Sequence, residues 1–239
     1  MVIIQLRSIL KLNVGILYSG GKDSTYATYL AKRQGHHITC LITMKPESSE
    51  SYLFHYPNVD WTYLQAKAIG VPQVITKTKE IGEDEVQDLD KALETAKKRY
   101  QIEAIVTGGL DSQYQKDRYE KACSRTDLIP ISPLWHINPE IYMLDILRAG
   151  FKVIITCVAA EGLTEEWLGR IIDENMIRKL IELNQRLAIH IAFEGGEAET
   201  FVLDCPLFTH RIEILSSVRH WHGDHGFLMI KDAKLVEKS

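Results

Sequence analysis

Apolar runs a few residues long alternate with stretches of helical period along the first half of the chain. Val14 to Tyr18 is such a run, closed by Ser19-Gly20-Gly21, and helix-like spacing starts near Ser24 and ends by Gly35. Ile38 to Thr43 predicts a second strand, followed by a polar loop from Pro46 to Asn58 that carries Tyr52, Phe54, His55 and Tyr56. Trp61 to Ile69 reads as a helix stopped by Gly70 and Pro72, and Gln73 to Thr76 as a third strand. From Asp84 to Tyr100 the positions Val86, Leu89, Leu93, Ala96 and Tyr100 share one face, which predicts an amphipathic helix. Ala104 to Thr107 supplies a fourth strand that ends in Gly108-Gly109. Strands separated by helices at this spacing are βαβ units, the signature of an α/β fold with a parallel sheet.

The second half changes character. Pro139 to Ala149 predicts a helix, Val153 to Val158 a strand, and Glu174 to Leu187 another helix. Strands are expected near His190 to Phe193, Thr200 to Leu203 and Arg211 to Val218, and Gly226 to Val236 is strand-like. This is a mixed α+β pattern. Pro130 and Pro133 mark the change, so two domains are expected, 1–132 and 133–239.

Composition narrows the function classes. A chain of 239 residues buries roughly three quarters of its unfolded surface and needs no disulfide or metal staple. Its 28 basic and 32 acidic residues give a net charge of −4, which speaks against a generally basic nucleic-acid coat. No apolar run approaches the ~18 residues of a membrane span, so a soluble protein is expected. Met1 to Asn13 is broken by Gln5, Arg7, Ser8 and Lys11 and is not read as a signal peptide. Cys40, Cys123, Cys157 and Cys205 form no C-x-x-C pair. Cys40 and Cys157 end apolar runs as small hydrophobes, and a reducing, cytoplasmic setting fits.

The chemistry begins at Ser19-Gly20-Gly21-Lys22-Asp23-Ser24, between the first strand and the first helix. Glycines there let backbone N–H groups curl around an anion; the helix N-terminus adds partial positive charge and Lys22 a full one. Asp23 and Ser24 can cap the helix or reach a metal-bound phosphate. A tight glycine turn with an N-cap is the plain alternative, but the complete hexapeptide between strand and helix speaks against it. It is neither a Walker A loop nor a dinucleotide fingerprint, since G-x-x-x-x-G-K-[ST] and G-x-G-x-x-G are both missing there. The six residues resemble the PP-loop of the N-type ATP pyrophosphatases, the adenine-nucleotide α-hydrolase-like superfamily. That resemblance implies a Rossmann-like (HUP) sheet of five parallel strands sandwiched by helices, with ATP at the strands' carboxyl ends. It further implies cleavage between the α and β phosphorus atoms, where donors on the leaving pyrophosphate stabilise the charge it gains.

Two further segments narrow the reaction. Gly108-Gly109-Leu110-Asp111-Ser112-Gln113-Tyr114-Gln115-Lys116-Asp117-Arg118-Tyr119-Glu120 follows the fourth strand. A glycine pair at a strand's carboxyl end suits close approach of a nucleotide, and Ser112, Gln115 and Arg118 recur at helical spacing. A polar helix start with solvated side chains is the alternative. Glu194-Gly195-Gly196-Glu197-Ala198-Glu199-Thr200 places three carboxylates and two glycines in seven residues. It reads equally as an acidic hairpin turn or as a site for a cation or Mg²⁺. The lack of a C-x-x-C pair speaks against thiolation. No Cys-centred nucleophile elbow of a glutaminase is present either, so free ammonia is the simplest nitrogen source.

Together these segments resemble the diphthine–ammonia ligase family, on Ser19 to Ser24, on Ser112, Tyr114, Gln115, Lys116, Arg118 and Glu120, and on Glu194 to Glu197, Glu199 and Thr200. Pro133-Leu134-Trp135, Gly162-Leu163 and Trp167-Leu168-Gly169-Arg170 extend the likeness from Val14 to Phe208. Gln113, Phe193 and Ala198 depart from the usual acid, glycine and aromatic. The resemblance implies amidation of the diphthine carboxylate on translation elongation factor 2, with ammonium and ATP, through an acyl-adenylate. It implies Lys22, Asp23 and Ser24 as catalytic, and Ser19 to Ser24, Met44, Gly108 and Gly109 as nucleotide-binding. Substrate-binding falls to Ser112, Tyr114, Gln115, Arg118, Glu194, Gly195, Gly196, Glu197, Glu199 and Thr200. Mg²⁺ is expected on the ATP phosphates and at Asp23. The three carboxylates also suit the trimethylammonium group of diphthine. The rival readings are an AMP-forming ligase on a small carboxylate or on RNA, with a local basic groove of Lys116, Arg118, Lys121 and Arg125, and a non-catalytic nucleotide sensor. Self-association stays open. Tyr52 to Tyr56 with Trp61 reads as a lid or as core, and His220, His222 and His225 as an exposed hairpin in preference to a metal site.

Overall fold

The computed structural model describes residues 10–46, 58–78 and 83–238. It divides into two compact units, and the chain crosses between them more than once. Residues 10–18, 23–46, 71–78 and 83–134 form the first; residues 19–22, 58–70 and 135–238 form the second.

The first unit holds β1 (Asn13–Leu17), α1 (Lys22–Arg33, whose first residue counts with the second unit) and β2 (His37–Pro46). After α2 (Thr62–Ile69), which groups with the second unit, come β3 (Gln73–Thr78), α3 (Glu83–Tyr100) and β4 (Ala104–Val106). They are followed by α4 (Gln113–Arg125) and β5 (Ile129–Ile131). All five strands run parallel in the order β3-β2-β1-β4-β5, flanked by helices. Central strands of such a sheet are covered on both faces, so Val14, Ile16, Ala104, Ile105 and Val106 are all fully buried. Leu89, Ala92, Leu93 and Ala96 of α3 pack with Cys40, Ile42, Met44, Val74 and Ile105 in one core cluster. The strand order reverses between β1 and β4, and an open α/β sheet binds its ligands at the carboxyl ends beside that switch. β5 is only Ile-Pro-Ile; its proline is tolerated because the strand lies at the sheet edge.

The second unit contains α5 (Pro139–Arg148), β6 (Lys152–Val158), α6 (Glu174–Leu187), β7 (Ala198–Asp204), β8 (Arg211–Trp221) and β9 (Gly226–Val236). Its strands form an antiparallel sheet in the order β7-β6-β9-β8. Side-chain hydrogen bonds explain why residues 58–70 join it. Asn58 donates to the Leu228 carbonyl at 2.8 Å and accepts from the Ile230 N–H at 2.9 Å, as a strand residue would. The Trp61 indole donates to the Ile230 carbonyl, and Thr209 donates twice to the Ala68 carbonyl.

One expected strand is absent. His190 to Phe193 forms a turn, closed by Phe193 N–H donating to the His190 carbonyl at 2.9 Å. Phe193 has φ +62°, a left-handed conformation that cannot continue a strand. Ile191, Ala192 and Phe193 are apolar because they are buried, and buried loop residues carry the same sequence signal as a strand. Glu194 to Glu197 is therefore no hairpin bend between two strands. Tyr52, Phe54, His55 and Tyr56 of the expected lid lie outside the described residues.

Candidate active site

Within the second unit the phosphate loop is held against the edge strand β7. Gly20 has φ +84°, and its carbonyl accepts from Val202 N–H at 3.1 Å and from Gln65 Nε2 at 2.9 Å. A Cβ on Gly20 would lie 2.5 Å from Gln65 Oε1 and 2.8 Å from Thr62 Cγ2, so glycine is required on two counts. Lys22 N–H, at the start of α1, donates to Thr200 Oγ1 at 3.1 Å, and Gly21 N–H donates to Ser19 Oγ at 3.4 Å. Thr200 thus touches the phosphate loop directly.

The Lys22 side chain is 2% exposed. Its ammonium donates to the Ala192 carbonyl at 2.7 Å and lies 5.5 Å from the Phe193 ring and 6.0 Å from the Tyr142 ring. A carbonyl and two aromatic faces together replace part of the water this cation has lost. The acceptor belongs to the loop that leads into the acidic segment, and that loop is wound on its own polar groups. Glu197 accepts from His190 N–H at 2.8 Å through one carboxylate oxygen and from Gly195 N–H at 2.9 Å through the other. His190 Nδ1 accepts from Ala192 N–H at 3.2 Å and Glu194 N–H at 3.3 Å, which assigns the ring proton to Nε2. All three carboxylates are half-buried, and Glu197 is held by two loop amides.

In the first unit, Gly108 approaches the start of α1. A Cβ there would fall 2.6 Å from the Asp23 carbonyl carbon and 2.7 Å from Ser24 N. Gly109 has open space at the same test. Asp23 stands in the first turn of α1, half-buried, and Ser24 is buried. Ser112 caps α4 by accepting from Gln115 N–H, and Ser112, Gln115 and Arg118 share its half-buried side. Tyr114 is 52% exposed beneath the Arg118 guanidinium, 4.3 Å from the ring centre. The Met44 side chain lies in the core cluster, so a nucleotide contact there would fall to its main chain. Ser112, Tyr114, Gln115 and Arg118 lie on the first unit and Glu194 to Thr200 on the second.

Sequence reasoning passed over Gln65, Ala192, His190 and Tyr142. Gln65 is one polar position in a short helix, and Ala192 acts through its backbone, which no residue type announces.

Among the described residues no group of three His, Cys, Asp or Glu side chains is arranged to hold a metal. His220 stacks on Phe227, His222 on His225, and His225 hydrogen-bonds Asp224, holding that carboxyl below its usual range. Burial pushes the Cys40 and Cys157 thiols up to about 11 and those of Cys123 and Cys205 to about 12. Thiols so raised are poor nucleophiles near neutrality. Among the described residues no helix is long and apolar enough to cross a membrane.

Comparison with known proteins matches the chain to two family models. Residues 12–130 match the family model of the diphthamide synthase N-terminal domain, and residues 138–236 that of the diphthamide synthase C-terminal domain. The diphthine–ammonia ligase of Mus musculus is 33% identical over 243 residues, covering 94% of this chain and 91% of the relative. The chain belongs to the diphthine–ammonia ligase family. The Homo sapiens ligase is likewise 33% identical, over 95% of this chain and 91% of its own. The Schizosaccharomyces pombe ligase is 33% identical over 90% of this chain, which spans 38% of that longer relative.

Proposed function

We propose that this protein is an ATP-dependent ligase that amidates the carboxylate of diphthine on translation elongation factor 2, giving diphthamide, AMP and pyrophosphate. The observation that carries the reading is the joining of two motifs in one unit: the phosphate loop meets the acidic Gly-Gly segment and the strand that follows it, at Thr200, Val202 and Ala192. A loop built to grip phosphates is thereby tied to the segment shared with the ligase family.

The chemistry balances as two displacements. The diphthine carboxylate oxygen attacks the α-phosphorus, the bond to the β-phosphate oxygen breaks, and pyrophosphate leaves. Ammonia then attacks the acyl carbon, AMP departs with the former carboxylate oxygen, and one proton is released. In the first step the N–H groups at the start of α1 and the Lys22 ammonium face charge that grows on the leaving pyrophosphate. Asp23 is the loop carboxylate suited to Mg²⁺, which arrives with the ATP phosphates and would neutralise part of their charge. The protein substrate is assigned to Ser112, Tyr114, Gln115 and Arg118 and to Glu194 and Glu199. Glu197, committed to its own loop, positions that segment. The cytoplasm is the assigned compartment, where elongation factor and ATP both occur.

Nucleotide products test the reading. With diphthine-bearing elongation factor, ATP, Mg²⁺ and ammonium, AMP and pyrophosphate should form, and neither should form without the protein substrate. Release of ADP and phosphate would refute the assignment. AMP formed with an RNA or a small carboxylate in place of the factor would favour a different ligase on the same loop.

A further inference from the structure

Gln65 is fully buried in α2, 45 residues from the glycine it contacts in the phosphate loop. Its Nε2 donates to the Gly20 carbonyl at 2.9 Å and to the Val202 carbonyl at 2.8 Å, so both amide hydrogens are used. Its Oε1 has no hydrogen-bond partner among the described residues and lies 2.5 Å from where a Gly20 Cβ would stand. Leaving a buried acceptor unmatched is costly, and a side chain present only to fill space would serve better as Leu or Met. The amide is thus explained by what its nitrogen holds.

We propose that Gln65 is a positioning residue of the phosphate loop. The peptide between Gly20 and Gly21 is trans, so its C=O and N–H point in opposite directions. Pinning the Gly20 carbonyl to Gln65 and Val202 directs the Gly21 N–H to the opposite side of that peptide, where it donates to Ser19 Oγ at 3.4 Å. A loop that receives phosphate must present N–H groups and turn its carbonyls away, because a carbonyl oxygen facing a phosphate oxygen is repulsive. Gln65 does this with two donors on one rigid amide, and it holds Gly20 and Val202 in register. The position of β7, which begins at the acidic segment, is thereby passed to the loop.

The proposal rests on the ATP reading above, and its test separates the two. Isothermal titration of ATP and of AMP is measured on wild type, Gln65→Met and Gln65→Glu. Met keeps the volume and removes both donors; Glu turns a carboxylate on two carbonyls. The loop faces the β- and γ-phosphates, which AMP lacks. Losing the hydrogen bond to the Gly20 carbonyl, together with the one to Val202, should weaken ATP about tenfold or more in Gln65→Met, and further in Gln65→Glu, with AMP binding within twofold of wild type. Equal weakening of ATP and AMP, including a variant that binds neither, would assign Gln65 to stability alone and overturn the proposal. So would unchanged ATP affinity. If wild type itself binds ATP no more tightly than AMP, the ATP reading fails independently of Gln65.

Discussion

Lys22, Phe193 and Gly108 show most clearly how single residues build this site. Lys22→Met removes the ammonium while keeping most of the buried stem, so pyrophosphate release should fall on the order of 100-fold or more, as for other lost transition-state donors. The fold should persist by circular dichroism. Phe193 is a balance of two terms: its left-handed backbone costs about 1–3 kcal/mol, while truncating a buried Phe costs about 3–5 kcal/mol. Packing wins, so Phe193→Gly should lower the melting temperature although it relieves the backbone. A higher melting temperature would show that the ring contributes little. Gly108→Ala puts a methyl 2.6 Å from the backbone of Asp23; overpacking against main chain costs about 1–3 kcal/mol. Both the melting temperature and ATP binding should fall, because the strained atoms open α1. Gly109→Ala, with space around it, should leave the melting temperature close to wild type.

At the scale of elements, β7 is the component that ties the phosphate loop to the acidic segment. Glu199 and Thr200 are expected at the protein substrate, and the Thr200 hydroxyl also accepts from the Lys22 N–H. Thr200→Val, which keeps shape and loses the acceptor, should raise the KM for ATP several-fold, and Thr200→Ser should restore it. If Thr200→Val changes only the KM for the elongation factor, the hydroxyl serves the substrate and not the loop. The parallel strands were legible because central strands of a helix-covered sheet are continuously apolar, as Val14 to Tyr18 and Ala104 to Val106 are. The turn at His190 to Phe193 was not, because burial of a loop imitates a strand and the deciding quantity is a backbone angle. α2 was legible as a helix but not as part of the second unit; the bonds from Asn58, Trp61 and Ala68 reach residues about 140 or more positions away, beyond any local pattern. The motif segments themselves were readable in full, whereas the contacts of Gln65 and the Ala192 carbonyl emerge only in three dimensions.

For the whole molecule, the four cysteines, three buried and Cys157 half-buried, set an alkaline limit. Their thiols ordinarily ionise at 9.0 and are raised to about 11 or 12 by burial. The folded state therefore holds protons that the unfolded chain releases, so this contribution is intact below pH 9 and erodes as pH rises from 9 toward 11–12. Melting temperatures should fall over that range, and thiol reagents at pH 8 should label the unfolded chain far faster than the folded one. A flat melting temperature across the range would mean that the thiols are not buried in solution. The central claim is the amidation, and its most direct test is the mass of the modified histidine. Elongation factor 2 bearing diphthine is incubated with the protein, ATP, Mg²⁺ and ammonium, then digested and weighed. Replacing OH by NH₂ should lower the peptide mass by about one dalton, with one AMP formed per amide. An unchanged mass while AMP accumulates with another acceptor would contradict it.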